Sequence, residues 1–166
     1  MSIEALLAAI ESWPISAALR GETPGTEWLF PIVETLHVMA LTLVFGSIAM
    51  IDLRLLGIAS RNSAVSRLSN EVLPWTWTAW CVAAMFGTLM FIAKAGTYAG
   101  NLQFQLKFIC MGLAALNMLV FKFGAYRQVA RWDSGEPPMS AKVAGALSLS
   151  LWTGVVFFGR WVGFTT

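Results

Sequence analysis

Long apolar stretches alternate with short polar ones along this chain, and the length of the apolar stretches decides the fold class. Four of them run over about 28–58, 74–96, 102–126 and 139–163. Each reaches the roughly 20 residues that a helix needs to cross about 30 Å of hydrocarbon. Lipid offers the backbone no hydrogen-bond partners, so a spanning segment must satisfy its own polar groups as a helix. The pattern therefore predicts an all-α integral membrane four-helix bundle, a single membrane domain over residues 1–166. Pro31 suits the first turn of span one, and Pro74 is expected to open span two. Trp75, Trp77 and Trp80 form an expected interfacial belt. Residues 60–73 read as a polar loop with a brief surface helix. The turn at 97–101 is short, so spans two and three are expected to be antiparallel neighbours.

Residues 1–27 precede the first span as a short interfacial helix and its connector. Ile3, Leu6, Leu7 and Ile10 recur at helical spacing, Ser2 can cap the helix, and Trp13–Pro14 ends it. This helix is too short to span and amphipathic enough to lie in the interface. Glu4 and Glu11 stand where a signal peptide would carry basic residues, so none is expected, and span one serves as the insertion signal.

Composition agrees with lipid as the solvent. Hydrophobic residues make up 57% of the chain and charged residues 12%, against about a quarter charged in soluble domains. The net charge of +2 is scattered at span edges, which argues against nucleic acid as a partner and for the bilayer. Arg54, Arg61, Arg67, Lys122, Arg127, Arg131 and Lys142 flank the loops after spans one and three. The opposite side has Arg20 set against Glu4, Glu11, Glu22 and Glu27. The positive-inside rule puts both basic loops in the cytoplasm and both termini outside. Cys81 and Cys110 lie in apolar stretches without metal-ligand spacing and read as small buried thiols. In span four, Ala146, Ser150 and Gly154, then Gly159 and Gly163, offer a small-residue stripe. Such a stripe serves packing within the bundle or a homo-oligomer through the fourth span.

Ionisable side chains inside a span are costly, and each one needs a reason. Glu34 and His37 are three residues apart on span one and share a helix face. Lys94, Lys107 and Arg160 come from the other three spans at a similar depth in the outer half. Facing inward, the five would form a pocket for an anionic or carbonyl-bearing ligand, with Glu34 and Lys107 as natural partners. The plainer readings are snorkelling of Lys94 and Arg160 into headgroups and a Glu34–Lys107 pair that only locks helices. Asn117 reads as an interhelical hydrogen bond, and Asp52 with Arg54 as a boundary marker.

The runs LHVMALTLVFGSIAMIDLRLLG (36–57), NLQFQLKFICMGLAALN (101–117) and AGALSLSLWTGVVFFGRW (144–161) resemble a family of small four-helix bacterial inner-membrane proteins of unknown function. That resemblance covers most of the chain from about Pro31 and implies a multi-pass protein of the bacterial inner membrane. Span one is also faintly similar to copper-resistance D membrane proteins, through His37 followed by Gly46–Ser47. Neither likeness brings an established activity, so function must rest on the site.

Three classes of function compete. The first is a redox-associated subunit binding haem b or quinone. His37 would be the iron ligand, either five-coordinate or with Met90 or a His of another subunit as the second axial ligand, and two of Lys94, Lys107 and Arg160 would meet the two propionates. For quinone, His37 and a Lys would meet the carbonyls while Glu34 handles protons. The second is proton or copper transport, with His37 as metal ligand beside Met39, Met90 or Met111. The third is a non-catalytic structural or assembly protein. No motif for a hydrolase or transferase is present, and whether the chain is an enzyme stays open.

Overall fold

The fold is taken from a computed structural model, which describes residues 2–165. Its elements are α1 (Ile3–Glu11), α2 (Pro14–Leu19), α3 (Leu29–Leu55), α4 (Val65–Ala93), α5 (Ala95–Gly100), α6 (Leu102–Phe123), a 3-10 segment (Ala125–Arg131) and α7 (Met139–Thr165). Among the described residues there is no strand. The helices α3, α4, α6 and α7 are long and apolar enough to cross a membrane, with mean hydropathy of 1.5–1.9. Their outer faces carry large exposed apolar side chains, among them Leu43, Met85, Leu116, Val120 and Phe157. A soluble monomer does not expose such continuous apolar surface, so this is the surface that lipid covers.

The spans pack as α3 on α4 and α6 on α7, joined through α3 and α7. The expected close pairing of spans two and three is therefore corrected. Helices α4 and α6 are linked by the short α5, yet they do not pack along their lengths. Their contact is a ring stack of Phe91 on Phe104, 5.6 Å apart, at the end nearest α5. Helix α6 is also the least covered span, with Ala114 as its buried residue.

Two boundaries also differ from expectation. Pro74 does not open a span: α4 begins at Val65 and carries Pro74 inside it. A proline there removes one backbone bond, but the first turn is anchored from outside. Val65 N–H donates to the Asp133 carbonyl at 3.1 Å, and Ser66 N–H donates to Asp133 Oδ1 at 2.7 Å. At the other end of the chain, Pro14 both ends α1 and starts α2. Ser2 does cap α1, its Oγ accepting from Ala5 N at 3.2 Å.

Polar side chains fasten the interior. Thr76 on α4 donates to Ser47 on α3 at 2.8 Å. Asn117 on α6 donates to the Ala144 carbonyl of α7 at 2.9 Å, the interhelical bond that its position suggests. Close approach of α7 uses Gly145, where a Cβ would stand 3.1 Å from the Asp52 carbonyl oxygen, and Gly154, where it would stand 3.2 Å from Cys110 Sγ. Ala146, Ser150 and Gly163 of the expected stripe are exposed instead. The helical period explains this: Ala144, Gly145, Ser148 and Val155 hold the inner face, and a four-residue stride drifts off it. Cys81 likewise sits on the outer face of α4 rather than in the interior.

Candidate functional site

Two ends of the bundle hold the polar groups. The first is where both termini lie. There Arg20 donates to the Ala93 carbonyl, at the end of α4, and to the Glu11 carbonyl, both at 3.1 Å. Its remaining nitrogens pair with Glu22 at 2.6 and 2.9 Å. Glu11 Oε1 accepts from Gly96 N at 2.7 Å. The α1–α2 hairpin is thereby fastened over α5, and Asn101 closes the same end by donating to Thr165 Oγ1 at 2.9 Å.

Beneath this cover lies His37. Its Nδ1 is 2.7 Å from the Ala83 carbonyl oxygen on α4. A carbonyl can only accept, so Nδ1 carries the proton and, in the neutral ring, Nε2 keeps a free lone pair. The ring rests on Gly87: a Cβ there would fall 2.9 Å from His37 Cε1. Gly87 was not singled out from the sequence, and the signal was a lone glycine within an apolar helix. Lys107 of α6 lies within electrostatic range of His37. Its Cδ, Cε and Nζ run 3.6–3.8 Å from where a Gly159 Cβ would be, so Gly159 provides the channel for the lysine stem. Among the described residues, Lys107 has no carboxylate partner.

Gly87 is four residues inward of Phe91, and Lys107 three residues inward of Phe104. At about 1.5 Å per residue, the His37–Lys107 level lies about one helical turn beneath the Phe91–Phe104 stack. Below that stack α4 and α6 stand apart. The His37–Lys107 level thus lies inward of the aromatic stack, where α4 and α6 do not pack on each other.

The other expected members are placed differently. Glu34 is half-buried one turn outward of His37 and makes no ion pair with Lys107. It lies toward Tyr98, whose phenol is pushed up from its ordinary range by burial and then by the Glu34 charge. Lys94 is exposed at the break between α4 and α5. Arg160 is exposed too, its guanidinium 4.8 Å from the centre of the Phe164 ring. Both are exposed rather than buried with His37 and Lys107, so the five residues do not form one cluster.

Among the described residues no group of three or more His, Cys, Asp or Glu could hold a metal ion. Of the methionines named for copper or haem, Met39 is 63% exposed on the outer face of α3. Met90 packs with the apolar cluster of Leu19, Val33 and Ala93.

A family model for proteins of unknown function, DUF6644, matches residues 21–165. The chain belongs to the DUF6644 family. The resemblance seen in the three quoted segments is thereby borne out, while the fainter likeness to copper-resistance D proteins gains no support. No curated protein and no solved structure matches this DUF6644 chain.

Proposed function

We propose that this DUF6644 protein binds the carbonyl head of a membrane quinone between His37 and Lys107, as a redox-associated membrane subunit. One observation carries the reading. His37 is oriented by a bond through Nδ1 that leaves Nε2 uncommitted, within electrostatic range of a lysine that has no carboxylate partner among the described residues. The Lys107 ammonium donates to a quinone oxygen, and Nε2 accepts from the hydroxyl of the reduced form. The gap between α4 and α6 admits an isoprenoid tail from lipid. Haem b and copper are less well served, because Lys94, Arg160, Met39 and Met90 point away from His37 or pack elsewhere.

The protein is purified in native-lipid discs, and its quinone content is measured after solvent extraction. The expected result is retained quinone that falls about tenfold in His37→Phe and Lys107→Met, while helix content and particle size hold. A wild-type protein with no quinone, or variants that retain as much, would overturn the reading. The second reading, a helix lock without ligand, is favoured by the other interhelical bonds, Thr76–Ser47 and Asn117–Ala144. It expects His37→Phe to lose stability with no change in any ligand signal.

The membrane is proposed to be the bacterial inner membrane, with both termini outside, so that the site opens in the outer leaflet. Labelling of intact cells should modify a cysteine placed at Thr23 and spare one at Ser134. The reverse pattern would invert the orientation.

A further inference from the structure

At the opposite end, where the two basic loops lie, α6 stops and the chain turns back. Gly124 leaves the helix at φ −99°, ψ −104°, and a Cβ there would be 2.8 Å from the Val120 carbonyl oxygen. The 3-10 segment that follows is itself kinked at Gln128. The broken path leaves an open surface pocket of about 590 Å³ between the end of α6, the 3-10 segment and the start of α7, lined by Phe123, Trp132 and the exposed side chains of Arg127, Gln128 and Ser140 among others. Among the described residues, no acidic side chain is in its wall.

Three donors line this pocket, and the two acids of the same loop, Asp133 and Glu136, are already bonded. The Arg127 guanidinium has no hydrogen-bond or ion-pair partner among the described residues, whereas Arg67 pairs with Glu71 and Lys142 with Glu136. The Ser140 hydroxyl is likewise uncommitted among the described residues. Gln128 uses its Oε1 to accept from Arg131 at 3.3 Å, which turns its amide NH₂ free to donate. Asp133, the closest acid in sequence, spends both carboxylate oxygens on Ser66. The wall therefore presents a guanidinium, an amide NH₂ and a hydroxyl. Phe123 and Trp132 add apolar edges suited to the membrane–water interface.

We infer that this pocket binds a phosphate anion, held by Arg127 with Gln128 and Ser140. An arginine fork matches phosphate oxygens bidentately, and no carboxylate competes for it. The phosphate comes either from an anionic phospholipid headgroup seated at the interface or from a soluble phosphate compound. This site is separate from the His37–Lys107 level, at the other end of the spans, and does not depend on the quinone reading.

The test uses the full chain in detergent micelles. Phosphatidylglycerol and phosphatidylcholine are titrated separately, and bound lipid is counted by native mass spectrometry. Inorganic phosphate is titrated in a parallel arm. Variants are Arg127→Gln, Arg127→Lys, and Arg67→Gln as a control with the same charge change at the same end. The expected result is a preference of tenfold or more for phosphatidylglycerol that is lost in Arg127→Gln, partly kept in Arg127→Lys and unchanged in Arg67→Gln. Arg127-dependent binding of inorganic phosphate without any lipid preference supports the site and assigns it to a soluble phosphate. Absence of both, or equal losses in Arg127→Gln and Arg67→Gln, overturns the proposal.

Discussion

Each end of the bundle is fastened by one arginine that binds backbone carbonyls, but the two arginines work under different conditions. Arg54 is 1% exposed and donates to the carbonyls of Ser63, Asp133 and Gly135 at 2.8, 3.1 and 3.2 Å. It ties the loop after α3 to the loop after α6 from inside the protein. Arg20 does the same kind of work for α2 and the end of α4, yet its side chain is 24% exposed and shares its charge with Glu22. The basic-loop end is thus a closed lock, and the terminal end a wetter clasp. The uncommitted His37 and Lys107 lie beneath the clasp, which is where the proposed quinone would need access. A structure that is less fastened over its site than at its far end fits the general link between local stability and ligand entry.

The sharpest way to break this comparison is to remove each arginine. Arg54→Met strips the donors from three part-buried carbonyls and removes the buried side chain that joins them. Two to three charge-assisted bonds are lost, so a destabilisation of about 3–5 kcal/mol is expected. Chemical unfolding in mild detergent measures it. Arg20→Met should cost clearly less, because water can replace its bonds. Equal losses at the two sites would remove the distinction between lock and clasp.

Packing comes next. Gly145→Leu would drive a side chain against the Asp52 backbone and Leu55, which stand 3.1 Å from the new Cβ. Backbone cannot yield as a flexible side chain can, so about 1–3 kcal/mol or more is expected. Ser150→Leu points outward, where the Ser150 hydroxyl bonds to the Ala146 carbonyl of its own helix. Thermal stability of that variant should stay within about 0.5 kcal/mol of wild type. A large loss at Ser150 would restore the outer stripe as a contact between copies.

Gly87→Ala tests the site itself. The new methyl would press on the His37 ring at 2.9 Å, whereas a Cβ at Gly46 meets nothing within 4 Å. The ring must swing away and give up the Ala83 bond, worth about 1 kcal/mol. Quinone retention should fall with it, while Gly46→Ala leaves both stability and retention unchanged. Retained quinone in a stable Gly87→Ala protein would detach the ligand from His37.

The sequence made the four spans legible because spanning length and hydropathy are local properties, summed over some 20 residues. It also marked Glu34, His37 and Lys107 by the cost of burying charge. What it did not disclose depends on which helices touch. The short turn at 97–101 suggested an α4–α6 pair, but chain proximity at one end does not force packing along the length. Arg54 looked like a boundary marker because its three acceptors are backbone carbonyls, which have no signature in the sequence. The role of Gly87 depends on a ring from another helix, so a single chain position could not show it. Depth grouped Lys94 and Arg160 with His37, yet depth says nothing about the rotation of a helix.

The smallest expected effect lies in how acid loosens the lock. Asp133 receives Ser66 N–H at 2.7 Å and Ser66 O–H at 2.5 Å, and these bonds hold its carboxyl below the ordinary range. A carboxyl lowered by folding stabilises the folded state fully above its unfolded value, which is about 3.9. That contribution fades as pH falls from there through the lowered folded value, and it is gone below both. The first turn of α4 should therefore loosen on acidification below about pH 4. Amide exchange at Ser66, corrected for the intrinsic effect of pH, reads this directly. Asp133→Asn keeps an oxygen for Ser66 N–H but carries no charge to lose. Its Ser66 protection should be lower than wild type at neutral pH and nearly flat across the acid range. The Arg54 lock, which is built on carbonyls, should persist in both proteins over the same range. A wild-type profile as flat as that of Asp133→Asn would show that Asp133 adds nothing to the fastening of this end.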